Sequence, residues 1–188
     1  MNIKRLIGSA AAAVILITGQ ATMAAASSHH PKTVADLRAA TTKYHSIAKA
    51  EHDGYGLFKD TAGIACIDMP GMGAMGIHYV NGTKVGRPNI VPTKPEAVLY
   101  APDRHGRLHL AAVEYVVVKA DWDATHKAPP RLFGHTFNFT DAPNRFGLPP
   151  FYSLHVWAFK HNPAGMFEMF NPNVHCNCSM SSMSSMSM

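Results

Sequence analysis

The sequence predicts an α+β domain, in which one N-terminal amphipathic helix packs on a curved antiparallel sheet or half-barrel of five to six strands. Apolar residues recur at helical spacing over residues 33–53, and short β-rich runs separated by Gly and Pro follow from residue 64 onward. A helix followed by a series of strands is typical of the α+β class. A closed barrel is the alternative architecture.

The first 26 residues have the pattern of an export signal. Lys4 and Arg5 precede an apolar run over residues 6–17, and small residues follow up to Ala26. This run is too short for a comfortable transmembrane span, so we expect cleavage after Ala26 and a secreted or periplasmic chain without stable membrane insertion. The expected domains are a signal peptide (1–26), a polar leader (27–32), a single α+β domain (33–178) and a disordered Ser/Met-rich tail (179–188).

Charge and motifs exclude several function classes. The chain has 17 Lys and Arg against 12 Asp and Glu, and two of those positive charges leave with the signal peptide. The remaining sequence has no basic run or stripe, so it offers no electrostatic footprint for a nucleic acid. A nucleophile elbow, a phosphate-binding loop and a dinucleotide-binding fingerprint are all missing from the sequence.

The predicted helix covers residues 33–53. Thr33 is an N-cap candidate, and Asp36 stands at the position of a capping-box partner. Gly54 is suited to end the helix, because glycine tolerates the left-handed conformation found after many helix C-termini.

Strand-like runs follow the helix, and the longest of them is the most informative. Leu108–Val118 is β-rich and apolar on both faces, which is typical of a central strand. Asn81-Gly82 is a turn signal, and proline pairs mark loops or strand entrances. The strand-like runs are Ile64–Met69, Gly76–Val80, Ala97–Tyr100, Leu108–Lys119, Leu132–Phe139 and Phe151–Lys160.

The sequence contains three cysteines, which permit one internal disulfide. An exported chain folds in an oxidising compartment, where disulfides persist. We expect Cys66–Cys176, because Cys66 lies in a strand-like run and Cys176 closes the ordered part of the chain. Cys66–Cys178 is the rival pairing, and the remaining thiol is reactive, intermolecular or a metal ligand.

Three strand-like runs each carry one ionisable residue on an apolar face. Alternation places Glu114 with Leu110, Ala112, Val116 and Val118, where a carboxylate is costly unless it is paired or bound to metal. His155 and His78 occupy comparable positions in their own runs.

Two histidines and one carboxylate are the ligand set of a catalytic zinc or a non-haem iron centre. The same three residues, His78, Glu114 and His155, could instead be catalytic as a His–Glu acid/base site. In either case we expect a pocket lined by Tyr79, Tyr115 and Trp157, with Glu96 as a fourth candidate member. A buried Glu–His hydrogen-bond network without metal or catalysis is the alternative interpretation.

The two ends of the chain suggest a copper site of a different kind. Thioethers and thiolates are soft ligands that favour Cu(I), and Met residues recur every three positions in a tail that has no core to fill. Cleavage after Ala26 would also expose Ser27-Ser28-His29, a square-planar nitrogen set suited to Cu(II) or Ni(II). The candidate ligands at the ends are His29, His175, Cys178, Met180, Met183 and Met186.

Several motifs together resemble a group of secreted bacterial single-domain proteins to which no activity is assigned. The motifs are Gly71-Met72-Gly73, His78-Tyr79-Val80-Asn81, Glu114-Tyr115, Leu132-Phe133-Gly134, Leu154-His155-Val156-Trp157, Asn162–Phe167 and Asn171–Cys176. The resemblance covers about residues 33–176 and implies an exported single domain. Ala74-Met75 and the tail after Cys176 depart from this pattern, so the copper features look like an accessory of this chain.

These observations lead to three functional hypotheses. The first is an exported metal-binding protein that sequesters or delivers an ion, with copper as the metal and zinc or iron as options at the His/Glu site. The second is a small metal-dependent or acid/base enzyme that uses His78, Glu114 and His155. The third is a non-catalytic domain that binds a small ligand in the concave face of the sheet.

Overall fold

A seven-stranded antiparallel sheet organises residues 32–176, which are the residues that the computed structural model describes. The strand order is β1-β3-β4-β5-β9-β8. Two strands share the outer edge of β3: β1 pairs with its C-terminal end, and β2 pairs with its N-terminal part. A separate two-stranded ribbon joins β6 and β7. The strands are β1 (Gly56–Leu57), β2 (Cys66–Met69), β3 (Gly73–Val80), β4 (Ala97–Pro102), β5 (Leu108–Val118), β6 (Arg131–Leu132), β7 (His135–Thr136), β8 (Asn138–Thr140) and β9 (Phe151–Val156).

The α+β class is confirmed at the level of helices combined with an antiparallel sheet, but two finer expectations are wrong. The sheet is open, so the closed-barrel alternative fails. The described residues form nine strands instead of five to six, because the run Leu132–Phe139 is divided among β6, β7 and β8 and because β1 adds two residues at the edge.

The single long helix expected over residues 33–53 is also wrong. The segment forms α1 (Val34–Thr41), a 3₁₀ turn (Thr42–His45) and α2 (Ile47–His52). Thr33 and Asp36 do form the predicted capping box. The break falls at Ser46, whose backbone is extended and whose hydroxyl accepts a hydrogen bond from the Lys49 N–H. Serine competes for backbone hydrogen bonds in this way and favours caps over helix interiors.

The sheet is buried on both faces, which explains why β5 is apolar on both sides. Leu37, Tyr44 and Ala50 of the helical segment pack on one face, which we call the helix-covered face. The opposite face, which we call the site face, is covered in part by the chain after β9, with Trp157 and Val174 packed on small residues of β4 and β5. Two short helices, α3 (Gly82–Val85) and α4 (Lys119–Asp123), lie in connections between strands.

A β-bulge in β5 changes which residues share a face with Glu114. Leu99 pairs with Ala112 and Tyr100 pairs with Leu110, so Ala111 is the extra residue. Leu110 therefore packs in the helix-covered core, not beside Glu114 as the simple alternation predicted. The Ala111 carbonyl accepts hydrogen bonds from the N–H groups of Phe159 and Lys160, which fastens the segment after β9 to the bulge.

Asparagine side chains hold the C-terminal segment in place without regular secondary structure. Asn162 donates to the Phe170 carbonyl, and Asn171 donates to the His161 carbonyl. The backbone of Asn171 also exchanges two hydrogen bonds with Ala74. Gly73 is required beside this bridge, because a Cβ at that position would lie 2.1 Å from the Asn171 carbonyl oxygen.

Cys66 and Cys176 form a disulfide, which is the first of the two pairings considered from the sequence. The bond joins β2 to the end of the C-terminal segment across 110 residues of sequence. A disulfide is consistent with an extracellular location. Within residues 32–176, the helices are all too short or too polar to cross a bilayer.

Candidate metal centre

Three strands place one ionisable side chain each on the site face of the sheet. Glu114 of β5 lies directly opposite His155 of β9. On its other side Glu114 pairs with Ala97 of β4, and β4 pairs in turn with β3, which carries His78. His78 pairs with Leu99, two residues after Ala97, so Glu114 and His78 lie diagonally across β4 on the same face.

The Glu114 carboxylate lies between the two imidazole rings. Its Oε2 is 3.4 Å from His78 Nε2, and its Oε1 is 3.4 Å from His155 Nδ1. One ligand atom from each residue lies within 4.8 Å of the other two. Three ligands bound to one metal at about 2.1 Å stand roughly 3.0–3.4 Å apart, so small side-chain movements would bring the three onto one ion.

Burying these polar and charged side chains costs free energy unless a bound ion or molecule compensates for the lost hydration. His78 is 4%, Glu114 7% and His155 0% exposed. Both nitrogens of both rings lack a hydrogen-bond partner among the described residues, since the contacts with Glu114 are longer than an ordinary N–H···O bond. Buried polar atoms in native proteins are nearly always paired, and an exception calls for an explanation such as a bound ion.

The protonation of the cluster matches that of a metal site. Burial lowers the pKa of His155 to about 4, so this ring is neutral at pH 7. Burial alone would raise the pKa of Glu114, but His155, His78 and the Ser153 side chain stabilise the carboxylate and lower the pKa to about 2. An ionised carboxylate and a neutral imidazole are the forms that bind metal ions.

A cleft of about 440 Å³ leads from the surface to the cluster. His78 and Glu114 line it, whereas His155 lies behind them. In the described part of the chain, every other residue that lines the cleft is apolar or glycine. The apolar walls come from β1, β5, β9 and the loop before β9, and they include Leu57, Phe58, Val116, Phe146, Leu148 and Phe151.

The loop before β9 contributes residues that sequence reasoning missed. Phe146 and Leu148 line the cleft from a loop without periodicity. Arg145 fastens this loop with two hydrogen bonds to the buried Asp60 carboxylate and through its carbonyl to the Thr61 N–H. The sequence signal that could have pointed to these lining residues is the presence of two large apolar residues inside a Pro/Gly/Asn-rich loop.

Other expected members of the site lie elsewhere. Tyr79 and Tyr115 follow His78 and Glu114 in sequence, so they point to the helix-covered face and do not line the cleft. Trp157 belongs to the apolar cover of the site face. Glu96 accepts a hydrogen bond from the Val116 N–H, and burial raises its pKa to about 7 despite that bond.

Of the candidate copper ligands at the ends of the chain, His175 is within the described residues, and it is not part of the cluster. His175 is exposed, next to Cys176 of the disulfide. Met75 is buried with Ile67 and Phe170 in a small apolar group. The remaining candidates, His29, Cys178, Met180, Met183 and Met186, lie outside the described residues, as do the signal peptide and most of the polar leader.

No protein-family model, curated protein or solved structure matches this chain. The function is therefore inferred from the residues of the site. A buried His–Glu–His cluster that could hold a metal ion is present on an antiparallel sheet, at the inner end of an apolar cleft. The geometry alone leaves the metal undetermined.

Proposed function

We propose that the chain is an exported metal-binding protein whose His78–Glu114–His155 cluster holds one divalent transition-metal ion. The observation that carries the proposal is the convergence of three ligand types from three strands, with both buried imidazoles lacking a hydrogen-bond partner in the described region. A metal ion would engage one nitrogen of each ring and would balance the Glu114 charge.

The donor set favours zinc or iron(II) over copper(I) at this position. Imidazole and carboxylate ligands suit zinc and non-haem iron, while Cu(I) prefers sulfur. The thioethers and the third cysteine of the copper hypothesis lie in the tail sequence, outside the described residues. Copper binding by the ends of the chain remains a separate proposal, which rests on Ser27-Ser28-His29 and the Met/Cys-rich tail.

Three protein ligands leave at least one coordination position for another molecule. Catalytic zinc sites share this property, whereas structural zinc sites are closed by four protein ligands. The cleft reaches His78 and Glu114, so a water molecule or a small ligand could approach the ion from that side. This favours metal-dependent catalysis or ligand capture over a purely structural ion.

Export is the second part of the proposal. It is supported by the signal-like sequence over residues 1–26 and by the Cys66–Cys176 disulfide, which persists in an oxidising compartment.

A metal-free acid/base site is the second candidate function. One observation favours it: the ionised Glu114 contacts two imidazoles, and the cleft reaches His78. In that case His78 would exchange protons with a substrate and Glu114 would orient the ring.

Metal titration of the full chain separates the two candidates. We expect zinc or iron(II), added after chelation, to bind with one equivalent that disappears in Glu114→Gln. Losing a charged ligand should weaken binding at this site by about 100-fold or more. Glu96→Gln is the matched control, because Glu96 is another buried carboxylate near the start of the neighbouring strand.

Equal binding by both variants would contradict the metal proposal for the core site, since the ions would then bind at the ends. Absence of binding to the unaltered chain would favour the acid/base candidate.

A further inference from the structure

The geometry points to a small apolar monoanion as the ligand of this site: a hydrocarbon body in the cleft, with one carboxylate-type head group on the metal. This inference rests on the proposed function, since the head group needs the ion. It goes further by naming the chemical class of the molecule that the cleft accepts.

The walls of the cleft select for a hydrocarbon body. Phe58, Phe146 and Phe151 line the cleft as neighbouring rings, and Leu57, Val116 and Leu148 add further apolar surface. A volume of about 440 Å³ lies within the range of small-molecule sites and accommodates a body of roughly six to twelve carbon atoms. Hydrogen-bonding side chains that could recognise a sugar or a peptide are missing from the walls in the described residues.

The polar side chains that line the cleft are the two cluster residues His78 and Glu114, within the described part of the chain. His78 and Glu114 are nearly buried there, whereas Leu57 is 44% exposed. A ligand that places a polar head on the ion therefore has its apolar part against the apolar walls of the cleft. This arrangement resembles that of an amphiphile whose head group is inside.

Charge balance selects a head group with a single negative charge. A divalent ion, one Glu114 carboxylate and two neutral imidazoles carry a net charge of +1. Acidic side chains other than Glu114 are missing from the cleft walls among the described residues, so no side chain of the walls compensates that charge. A monoanion neutralises the buried site, while a neutral alcohol leaves one positive charge and a phosphate dianion leaves one negative charge, both at a desolvation cost.

A ligand series on the metal-loaded full chain tests this inference. Calorimetry would compare acetate, butanoate, hexanoate and benzoate with hexanol and hexyl phosphate at pH 8. We expect each added methylene to tighten carboxylate binding about fourfold, because it buries more apolar surface. Hexanol and hexyl phosphate should bind at least tenfold more weakly than hexanoate, and benzoate distinguishes an aromatic from a straight-chain ligand.

A matched pair of variants locates the binding site in the cleft. Leu148→Asp places a second charge on the wall and should weaken hexanoate binding at least tenfold without removing the metal. Leu132→Asp alters another half-buried leucine that does not line the cleft, and it should leave hexanoate binding unchanged.

Metal content, measured on each sample, distinguishes a failure of the metal site from a failure of the proposed ligand class. A loaded protein that binds hexanoate no better than acetate overturns this inference and leaves the metal site standing, whether or not the variants fold. A loaded protein that prefers hexyl phosphate overturns the monoanion argument. A protein that takes up no metal at the cluster overturns the proposed function, and this inference with it.

Discussion

The buried tyrosines of the helix-covered face and the His–Glu–His cluster of the site face differ in how their polar atoms are paired. On the helix-covered face, tyrosine hydroxyls find acceptors: Tyr100 donates to the Tyr44 carbonyl, and Tyr55 donates to the Pro95 carbonyl. On the site face, four ring nitrogens of His78 and His155 have no such partner within residues 32–176.

This difference indicates what each face is for. An unpaired buried polar group costs about 1–3 kcal/mol, so the site face gives up stability that the helix-covered face retains. Departures from full hydrogen bonding are expected at functional sites. We therefore regard the helix-covered face as the stabilising half of the core and the site face as the half arranged for binding.

The disulfide gives the largest expected effect, because it fastens the end of the C-terminal segment to β2, next to both faces of the sheet. Replacing both cysteines, Cys66→Ser with Cys176→Ser, should lower the free energy of unfolding by about 4–5 kcal/mol, since the closed loop exceeds 100 residues. Urea denaturation measures the loss. Hydrogen exchange should rise more in residues 170–176, which the disulfide fastens directly, than in α1 and α2, and an equal rise in both would contradict a local role of the disulfide.

The second prediction concerns Glu96, which lies near Tyr55 and Tyr115 of the helix-covered face. Burial raises its pKa from 4.5 to about 7, so the folded protein holds this proton more tightly than the unfolded chain does. Stability from Glu96 is present at low pH and declines by up to about 3 kcal/mol as the pH rises from 4.5 to 7.

Glu96→Gln should remove that decline while keeping an acceptor for the Val116 N–H. Urea denaturation of both proteins at pH 5 and pH 8 measures it, and the variant should gain relative stability at pH 8. Parallel pH profiles would show that Glu96 does not titrate in this range.

The third prediction addresses the site face in the absence of metal. Replacing the whole cluster by His78→Leu, Glu114→Leu and His155→Leu should leave the metal-free protein as stable as before, or more stable by about 1–4 kcal/mol, because the unpaired polar groups are gone. Thermal unfolding in a chelator measures the change. A strong destabilisation would support the interpretation of the cluster as a structural hydrogen-bond network.

The smallest effect belongs to a single hydroxyl on the helix-covered face. Tyr100→Phe removes the hydrogen bond to the Tyr44 carbonyl and should cost about 1 kcal/mol. Tyr152→Phe is the control, because the Tyr152 hydroxyl makes a long 3.3 Å contact with the Asp123 carboxylate and has no buried carbonyl as its acceptor among the described residues. Equal stabilities of the two variants would show that the hydrogen bond of Tyr100 does not stabilise the helix-covered face.

Local patterns allowed the central strand and the cluster to be predicted. β5 is apolar on both faces because it is covered on both, and that composition is visible in the sequence. Glu114, His155 and His78 stood out because each interrupts an apolar alternation. The antiparallel register then brings Glu114 opposite His155, which no single strand reveals.

Other features depend on contacts between distant segments. The bulge at Ala111, which moves Leu110 to the other face, is bonded to residues after β9. The cover of the site face is held by Asn162 and Asn171 through tertiary hydrogen bonds, so it has no periodicity to detect. The break at Ser46 interrupts a helical pattern through one local cap.

X-ray absorption spectroscopy of the metal-loaded full chain tests the central claim most directly, because it identifies the atoms bound to the ion. For one equivalent of zinc or iron(II), we expect two imidazole nitrogens and carboxylate oxygen bound to the ion at about 2.0–2.2 Å. This coordination should be lost in Glu114→Gln. Sulfur ligands at about 2.3 Å, unchanged in that variant, would contradict it and place the ion on the Met/Cys-rich tail.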